Sequence, residues 1–340
     1  MIETILRWFE DRYRYIGVDI SEEELRAVEY DPKSKRLIDS FMTAPGTLCS
    51  HFGFKSGPLE KALEELKARF APNELTRFNI SIPAQFTVPK NIKIPKNLPD
   101  ENIIPEIASQ LPFPLESVYF DYIIREEGDS RTVIFIGIKR DTLDTLIGIF
   151  SQFGLRLGVV DTEYFNIYNS VALVEPDISE RTIVLIHPNP SYSIFTVVHH
   201  GLPVSCSDSK SGYRSIFDET LVSLDLEWGV ALSWLIGENL ELSDSQRTAM
   251  SSALNTLVDD LCKNLNLLKH LPELKDGVDA VYLCGPLSRN LHFTNLLQEK
   301  IGIDLVRFDP LSRLGIDLDV AYSKALVSAL RRYGDKYDKA

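Results

Sequence analysis

Paired cysteines, positive charge and long apolar runs are all scarce in this sequence, and each scarcity excludes something. The four cysteines, Cys49, Cys206, Cys262 and Cys284, include no CxxC pair. They form neither a thiolate zinc motif nor a dense disulfide framework, and read as reduced thiols of a cytoplasmic protein. Lys and Arg number 36 against 49 Asp and Glu, a net charge of −13, so a non-specific nucleic-acid binder is excluded and no nucleic-acid partner is expected. No run approaches the roughly 18 apolar residues that span a bilayer. Glu3, Arg7, Glu10 and Asp11 interrupt the N-terminal stretch that a signal peptide would need. What is present is 340 residues, 44% of them apolar, enough for a sizeable core and two lobes.

Ile2, Ile5, Leu6, Trp8 and Phe9 give residues 1–14 the apolar side of a short amphipathic helix, too short and too acidic to hold a membrane strongly alone. Strands follow at 15–19, 25–30 and 35–43, separated by turns, as a meander. Residues 58–70 predict a helix with Pro58 in its first turn and Leu59, Leu63, Leu66 and Phe70 on one face. Strands at 78–83 and 86–95, a helix at 100–109, strands at 118–125 and 132–139, a helix at 141–153 and a strand at 155–160 come next. Residues 84–157 therefore read as a compact α/β subdomain inserted into a first lobe of 15–83 and 158–175. Charge and proline at 175–180 mark a boundary. The second lobe, 176–320, opens on a strand pair at 181–186 and 193–198, extended by 201–205. It continues with a largely helical 215–268, a strand at 279–284, a helix at 290–301 and a strand at 304–308. A closing helix and tail occupy 321–340. Each half starts with antiparallel strands and later adds helices and a strand, which predicts a duplicated α/β architecture around a cleft.

Several eye-catching groups have plain readings. His199 and His200 point to opposite faces of a strand and read as a hairpin turn rather than a metal pair. Residues 205–212, SCSDSKSG, read as a polar loop with no base to activate a nucleophile. Glu22, Glu23 and Glu24 read as a solvated turn. Leu254, Leu257, Leu261, Leu265 and Leu268 recur at helical spacing as core, with Asp259 and Asp260 on the wet side.

Four passages in the same order carry a resemblance: SQLPFPLESVYFDY at 109–122, the strand pair and V-P or I-P step at 82–95, VVDTEYF at 159–165 and IGIDLVRFDPL at 301–311. From about residue 15 to 333 the chain resembles the PilM family, the actin-like proteins of type IV pilus and type II secretion assembly platforms. The resemblance implies an actin-like ATPase fold, with ribonuclease H-like duplicated lobes, an inserted α/β subdomain and ATP between the lobes. It also implies a bitopic inner-membrane partner whose short apolar cytoplasmic tail enters between the first lobe and the inserted subdomain. Pro83, Phe86, Val88, Ile104, Ile107, Phe113 and Val118 lie in the right region for that contact, with a place in the subdomain core as the alternative for each.

The phosphate loops depart from the family pattern. Where a DIGSSSVK-like turn is implied, the chain has DISEEELR at 19–26, and three carboxylates make a poor phosphate cradle. In the second loop, LIHPNPSYS at 185–193, His187 replaces an implied Asp, and Pro188 and Pro190 remove two N–H donors. The adenosine loop is reduced to CGPLS at 284–288. The expectation is a chain without cofactor. If ATP and Mg²⁺ bind, Asp19 makes a water-mediated magnesium contact, and Ser21, Ser191 and Gly285 line the pocket. The function expected is a scaffold or adaptor, cytoplasmic and peripheral on the inner membrane through its partner. A platform protein, an assembly ATPase and a second copy are further candidate partners. The alternative is an active actin-like ATPase regulating pilus or secretion assembly.

Overall fold

The computed structural model describes residues 12–50, 53–127, 130–238 and 240–332. The amphipathic segment expected at 1–14 lies outside them apart from its last three residues, as does the end of the tail. The chain divides into two compact units: the first runs to Asn166 and resumes at Lys324, and the second is Ile167–Ser323.

The first unit is built on strands β1 (Arg14–Ile20), β2 (Leu25–Asp31), β3 (Arg36–Met42), the short pair β4 (Cys49–Ser50) and β5 (Gly53–Phe54), and β6 (Thr76–Ile82). Helix α1 (Ser56–Phe70) precedes β6. The inserted segment contributes β7 (Thr87–Pro95), α2 (Ile103–Gln110), β8 (Val118–Glu127), β9 (Ser130–Lys139) and α3 (Arg140–Gln152). The chain then returns to the main sheet as β10 (Leu157–Thr162). That sheet runs β10-β6-β1-β2-β3, with β1, β2 and β3 antiparallel and β1, β6 and β10 parallel.

Alternation along β1 sends Ile16, Val18 and Ile20 to one face, where they pack with Leu59, Leu63, Leu66 and Phe70 of α1 and Leu146 and Phe150 of α3. The opposite face carries Gly17 and Asp19, and there the last helix, α10 (Ser323–Leu330), lies against the strand. A Cβ on Gly17 would stand 1.9 Å from Ala325 O and 2.2 Å from Ala329 N, so the helix approaches to backbone contact. Asn79 on β6 donates to Ser328 O at 3.0 Å and to Arg331 O at 2.8 Å, which ties the end of that helix down.

The inserted strands form their own antiparallel sheet, β7-β9-β8. One face covers α2 in a small core of Ile92, Ile94, Ile103, Ile107, Val118, Val133 and Phe135.

The second unit repeats the main sheet. Helix α4 (Glu163–Ala172) spans the division between the units and leads to β11 (Thr182–Pro188), β12 (Ser193–His199) and β13 (Leu202–Ser209). Helices α5 (Tyr213–Leu224), α6 (Trp228–Leu235) and α7 (Asp244–Leu268) follow, then β14 (Ala280–Leu283), α8 (Leu291–Ile301), β15 (Leu305–Arg307) and α9 (Pro310–Arg313). The order β13-β12-β11-β14-β15, antiparallel on the first side and parallel on the second, matches the first unit strand for strand. Leu254, Leu257, Leu261 and Leu265 of α7 are core, and Ser243 and Gln246 close a capping box at its start.

Two plain readings need correction. The SCSDS stretch is not a loop: it completes β13, held by pairing with β12, because edge pairing tolerates polar side chains. Glu22, Glu23 and Glu24 are not solvated. Their turn is covered where Gly46 N–H donates to Glu23 O and Leu48 N–H to Glu22 O, both at 2.7 Å, and Arg26 pairs with Glu24.

Candidate functional site

The first unit carries two candidate features, and the second unit carries the counterpart of one of them. One is a groove of about 560 Å³ between the inserted sheet and β10. The face of that sheet turned away from α2 supplies Tyr119, Asp121 and Ile123 from β8 and Ile136 and Ile138 from β9. The other wall is residues 158–162 of β10, the edge strand of the main sheet. Leu143 of α3, Phe165, Arg331 and Arg332 add to the lining. Its walls are mixed: Ile123, Ile136, Ile138 and Phe165 are apolar, and Asp121, Asp161, Arg331 and Arg332 bring charge. Arg331 Nε stands 3.3 Å from Asp161 Oδ2, and the Arg140 guanidinium lies 4.1 Å over the Tyr119 ring. Tyr119 in turn donates its hydroxyl to Asp144 Oδ1 at 3.0 Å.

None of the seven residues expected at the partner contact lines this groove. Ile107 and Val118 are in the small core of the inserted sheet, and Phe113 packs on it. Phe86 lies against Phe54 with tilted rings whose centroids are 4.6 Å apart, Pro83 is buried, Val88 is half-buried and Ile104 is exposed. The groove residues had a signal of their own. Beyond the set that faces α2, Tyr119 and Ile123 of β8 and Ile134, Ile136 and Ile138 of β9 are aromatic or apolar, while Asp121 and Arg125 interrupt that second set on β8.

The second feature is the carboxyl end of the parallel strands, where ligands bind in open α/β sheets. Asp19, the penultimate residue of β1, is buried, with Lys324 Nζ 3.3 Å from Oδ1 and Arg26 Nη1 3.5 Å from Oδ2. Burial pushes its carboxyl up from the ordinary value against the pull of those two cations. Lys324 also pairs with Glu163 Oε1 at 2.5 Å, while Glu163 Oε2 accepts from Ala84 N–H at 3.1 Å. Burial works against the ammonium, but the charges of Asp19 and Glu163 prevail and raise its pKa.

Ser21 is turned inward on its own loop. Its hydroxyl donates to Glu24 O at 2.9 Å and accepts from Glu24 N–H at 3.1 Å and Glu23 N–H at 3.4 Å. In the second unit, Ser191 and Gly285 follow the adjacent parallel strands β11 and β14. Ser191 is exposed, and Ser193 donates to Ser211 O at 2.6 Å. The first two N–H groups of α5 are taken by the loop itself, Tyr213 donating to Asn189 O at 3.1 Å and Arg214 to Pro190 O at 2.8 Å. Gly285, at φ +81°, faces the His187 ring so closely that a Cβ would fall 2.4 Å from Cε1. Among the described residues, no group of three or more His, Cys, Asp or Glu is arranged to hold a metal ion, and no helix is long and apolar enough to cross a membrane.

Two copies of one five-stranded sheet, with a small α/β sheet inserted in the first, define an actin-like fold. Over residues 17–331 the sequence matches the family described as type IV pilus assembly protein PilM, and the chain belongs to that family. A solved structure described as the PilM–PilN type IV pilus biogenesis complex is similar at 18% identity, with 94% of this chain and 98% of that chain covered and a TM-score of 0.75. Ethanolamine utilization protein EutJ from Carboxydothermus hydrogenoformans follows at 12% identity, 93% and 88% coverage and a TM-score of 0.55. MreB5 of Spiroplasma citri bound to ADP is similar at 9% identity, 94% and 96% coverage and a TM-score of 0.54. No curated protein sequence is significantly similar to the chain.

Proposed function

We propose that this chain is a cytoplasmic adaptor of a type IV pilus-like or type II secretion assembly platform. It takes the short cytoplasmic tail of a bitopic inner-membrane protein into the groove beside β10, sits on the inner membrane through that partner, and works without nucleotide. The observation that carries the reading is the groove: an edge strand beside an apolar wall is suited to an extended peptide. The strand edge supplies main-chain hydrogen bonds, and Ile123, Ile136 and Ile138 take alternate side chains. Membership of the PilM family and the solved PilM–PilN complex support a membrane-protein partner of this kind.

The nucleotide loops support the second half of the reading. A phosphate cradle needs backbone N–H groups and hydroxyls that point outward. Here the N–H groups of Glu23 and Glu24 bond to Ser21, and those of Tyr213 and Arg214 bond to loop carbonyls. Asp19 already carries two cationic partners, and the His187 ring fills the open side of Gly285. These residues do not fit Mg²⁺-ATP as they stand.

Calorimetric titration tests both halves. The partner's tail peptide is expected to bind the native chain, and a non-hydrolysable ATP analogue with Mg²⁺ is expected to give no binding heat. Ile123→Glu puts a charge on the half-buried groove wall and is expected to weaken the peptide at least tenfold, about 1.4 kcal/mol. Micromolar nucleotide binding, with peptide binding indifferent to Ile123→Glu, would overturn the reading in favour of an active ATP-binding protein.

A further inference from the structure

Two tyrosines at the start of β1 organise a row of arginines at the amino end of the parallel strands. Arg332 lies 4.0 Å over the Tyr15 ring, the Tyr15 and Tyr13 rings meet edge-on with centroids 6.3 Å apart, and Arg77 lies 4.3 Å over Tyr13. Arg77 also stands opposite Tyr15 in the pairing of β1 with β6. Arg156, which leads into β10, shares an acceptor with Arg77: their guanidiniums donate to Glu74 O at 3.0 and 2.8 Å. Rings and carbonyls hold a guanidinium in place without cancelling its charge. Neither Arg77 nor Arg156 is paired with a carboxylate among the described residues. Nearby Glu29 and Asp161 are committed to Arg14 and Arg331.

A chain of net charge −13 is repelled as a whole by an anionic surface, so a basic edge decides how it can approach one. This edge is continuous with the groove: Arg332 lines the groove, and Gly158 of its β10 wall stands two residues after Arg156. We propose that Arg77, Arg156 and Arg332 form a docking surface for anionic phospholipid headgroups, which turns the starting end of β10 and its groove toward the membrane. The choice of lipid over an acidic protein rests on the proposed function, because a short tail anchored in the membrane enters its groove close to the headgroups. Guanidinium forks suit the phosphate oxygens found there, and each basic side chain near the surface adds to the attraction. Leu75, 48% exposed and next to Glu74, fits the same occupant, since an apolar side chain flanked by cations matches the boundary between headgroups and acyl chains.

The test is flotation of the full chain with vesicles of phosphatidylcholine, with and without phosphatidylglycerol. Native protein is expected to float with the anionic vesicles at low salt, to leave them as salt rises, and to ignore the neutral ones. Arg77→Glu combined with Arg156→Glu is expected to weaken that binding at least tenfold, whereas Arg77→Lys with Arg156→Lys keeps the charge and most of the binding. Glu74→Lys adds a cation on an exposed side chain and is expected to strengthen the binding severalfold. All these variants are expected to bind the tail peptide as native protein does, which reports both folding and an intact groove. Ile123→Glu is expected to do the reverse, losing the peptide and keeping the vesicles. The proposal is overturned if native protein ignores anionic vesicles, or if charge reversal at Arg77 and Arg156 leaves vesicle binding unchanged. It is equally overturned if soluble polyglutamate binds more tightly than the vesicles, which would make an acidic protein segment the occupant. Vesicle binding that follows the arginines while the tail peptide fails to bind would sink the groove reading and leave the lipid-facing edge standing.

Discussion

Gly17→Val is expected to leave the first unit unable to hold its last helix. The Cβ alone would lie 1.9 Å from Ala325 O and 2.2 Å from Ala329 N, and both are backbone atoms that no rotamer change can move away. Either β1 or α10 must give. Strand β1 is paired on both sides, with β2 and β6, and its other face is locked into the core through Ile16, Val18 and Ile20. The helix is therefore the element that lifts. Its departure breaks the two Asn79 hydrogen bonds to Ser328 O and Arg331 O, each about 1 kcal/mol, and pulls Lys324 from its carboxylates. Together with the overpacking itself, about 1–3 kcal/mol, the loss reaches roughly 3–5 kcal/mol, a large share of a domain's stability. Urea unfolding of Gly17→Val beside Gly148→Ala makes the comparison. Gly148 lies within α3 with nothing near its missing Cβ, so alanine there is expected to stabilise by up to about 1 kcal/mol. Two variants that unfold within a few tenths of a kcal/mol of each other would refute the close-packing argument.

The same residues show what the sequence could and could not disclose. The strands of the first sheet and helices such as α1 and α7 announce themselves through periodicity, because one face of each is buried in a single core. The duplication is also legible in outline, since both units open on a three-stranded meander. β13 escapes this reading because SCSDS carries no apolar alternation and is a strand only through its pairing with β12. Helix α4 escapes it too. Its sequence EYFNIYNSVA is rich in Tyr, Phe and Asn, weak helix formers that tertiary packing overrides. Asp19 was visible as a candidate through the resemblance of DISEEELR to the family's first phosphate loop. Lys324 was not, because its partners lie at residues 19 and 163 and nothing in SKALVSAL points across that distance. The groove was legible only in part, through Ile134, Ile136 and Ile138 on the second face of β9, because Asp121 and Arg125 break the apolar pattern on β8 and a single-face reading assigns these strands to the subdomain core.

Glu163→Ala is expected to cost about 3–5 kcal/mol at neutral pH, the usual price of leaving a buried charge without its partner. Lys324 would keep only Asp19, at 3.3 Å, and Ala84 N–H would lose its acceptor. The pH dependence separates this electrostatic loss from simple loss of packing. The folded-state pKa of Lys324 is raised above its ordinary 10.5, because Asp19 and Glu163 outweigh the burial that lowers it. A raised lysine contributes stability that is fully present below its unfolded value and is lost as pH rises through the folded value. Native protein should therefore lose stability as pH climbs above about 10.5, once the ammonium facing Asp19, Glu163 and Arg26 gives up its proton. Glu163→Ala has less of that contribution to lose, so the gap between variant and native stability should narrow across the same alkaline range. Urea midpoints measured at intervals from pH 7 to pH 11 read the gap directly. A gap that stays constant over that range would mean that Glu163 acts through packing and its Ala84 hydrogen bond alone, with no part for the buried cation.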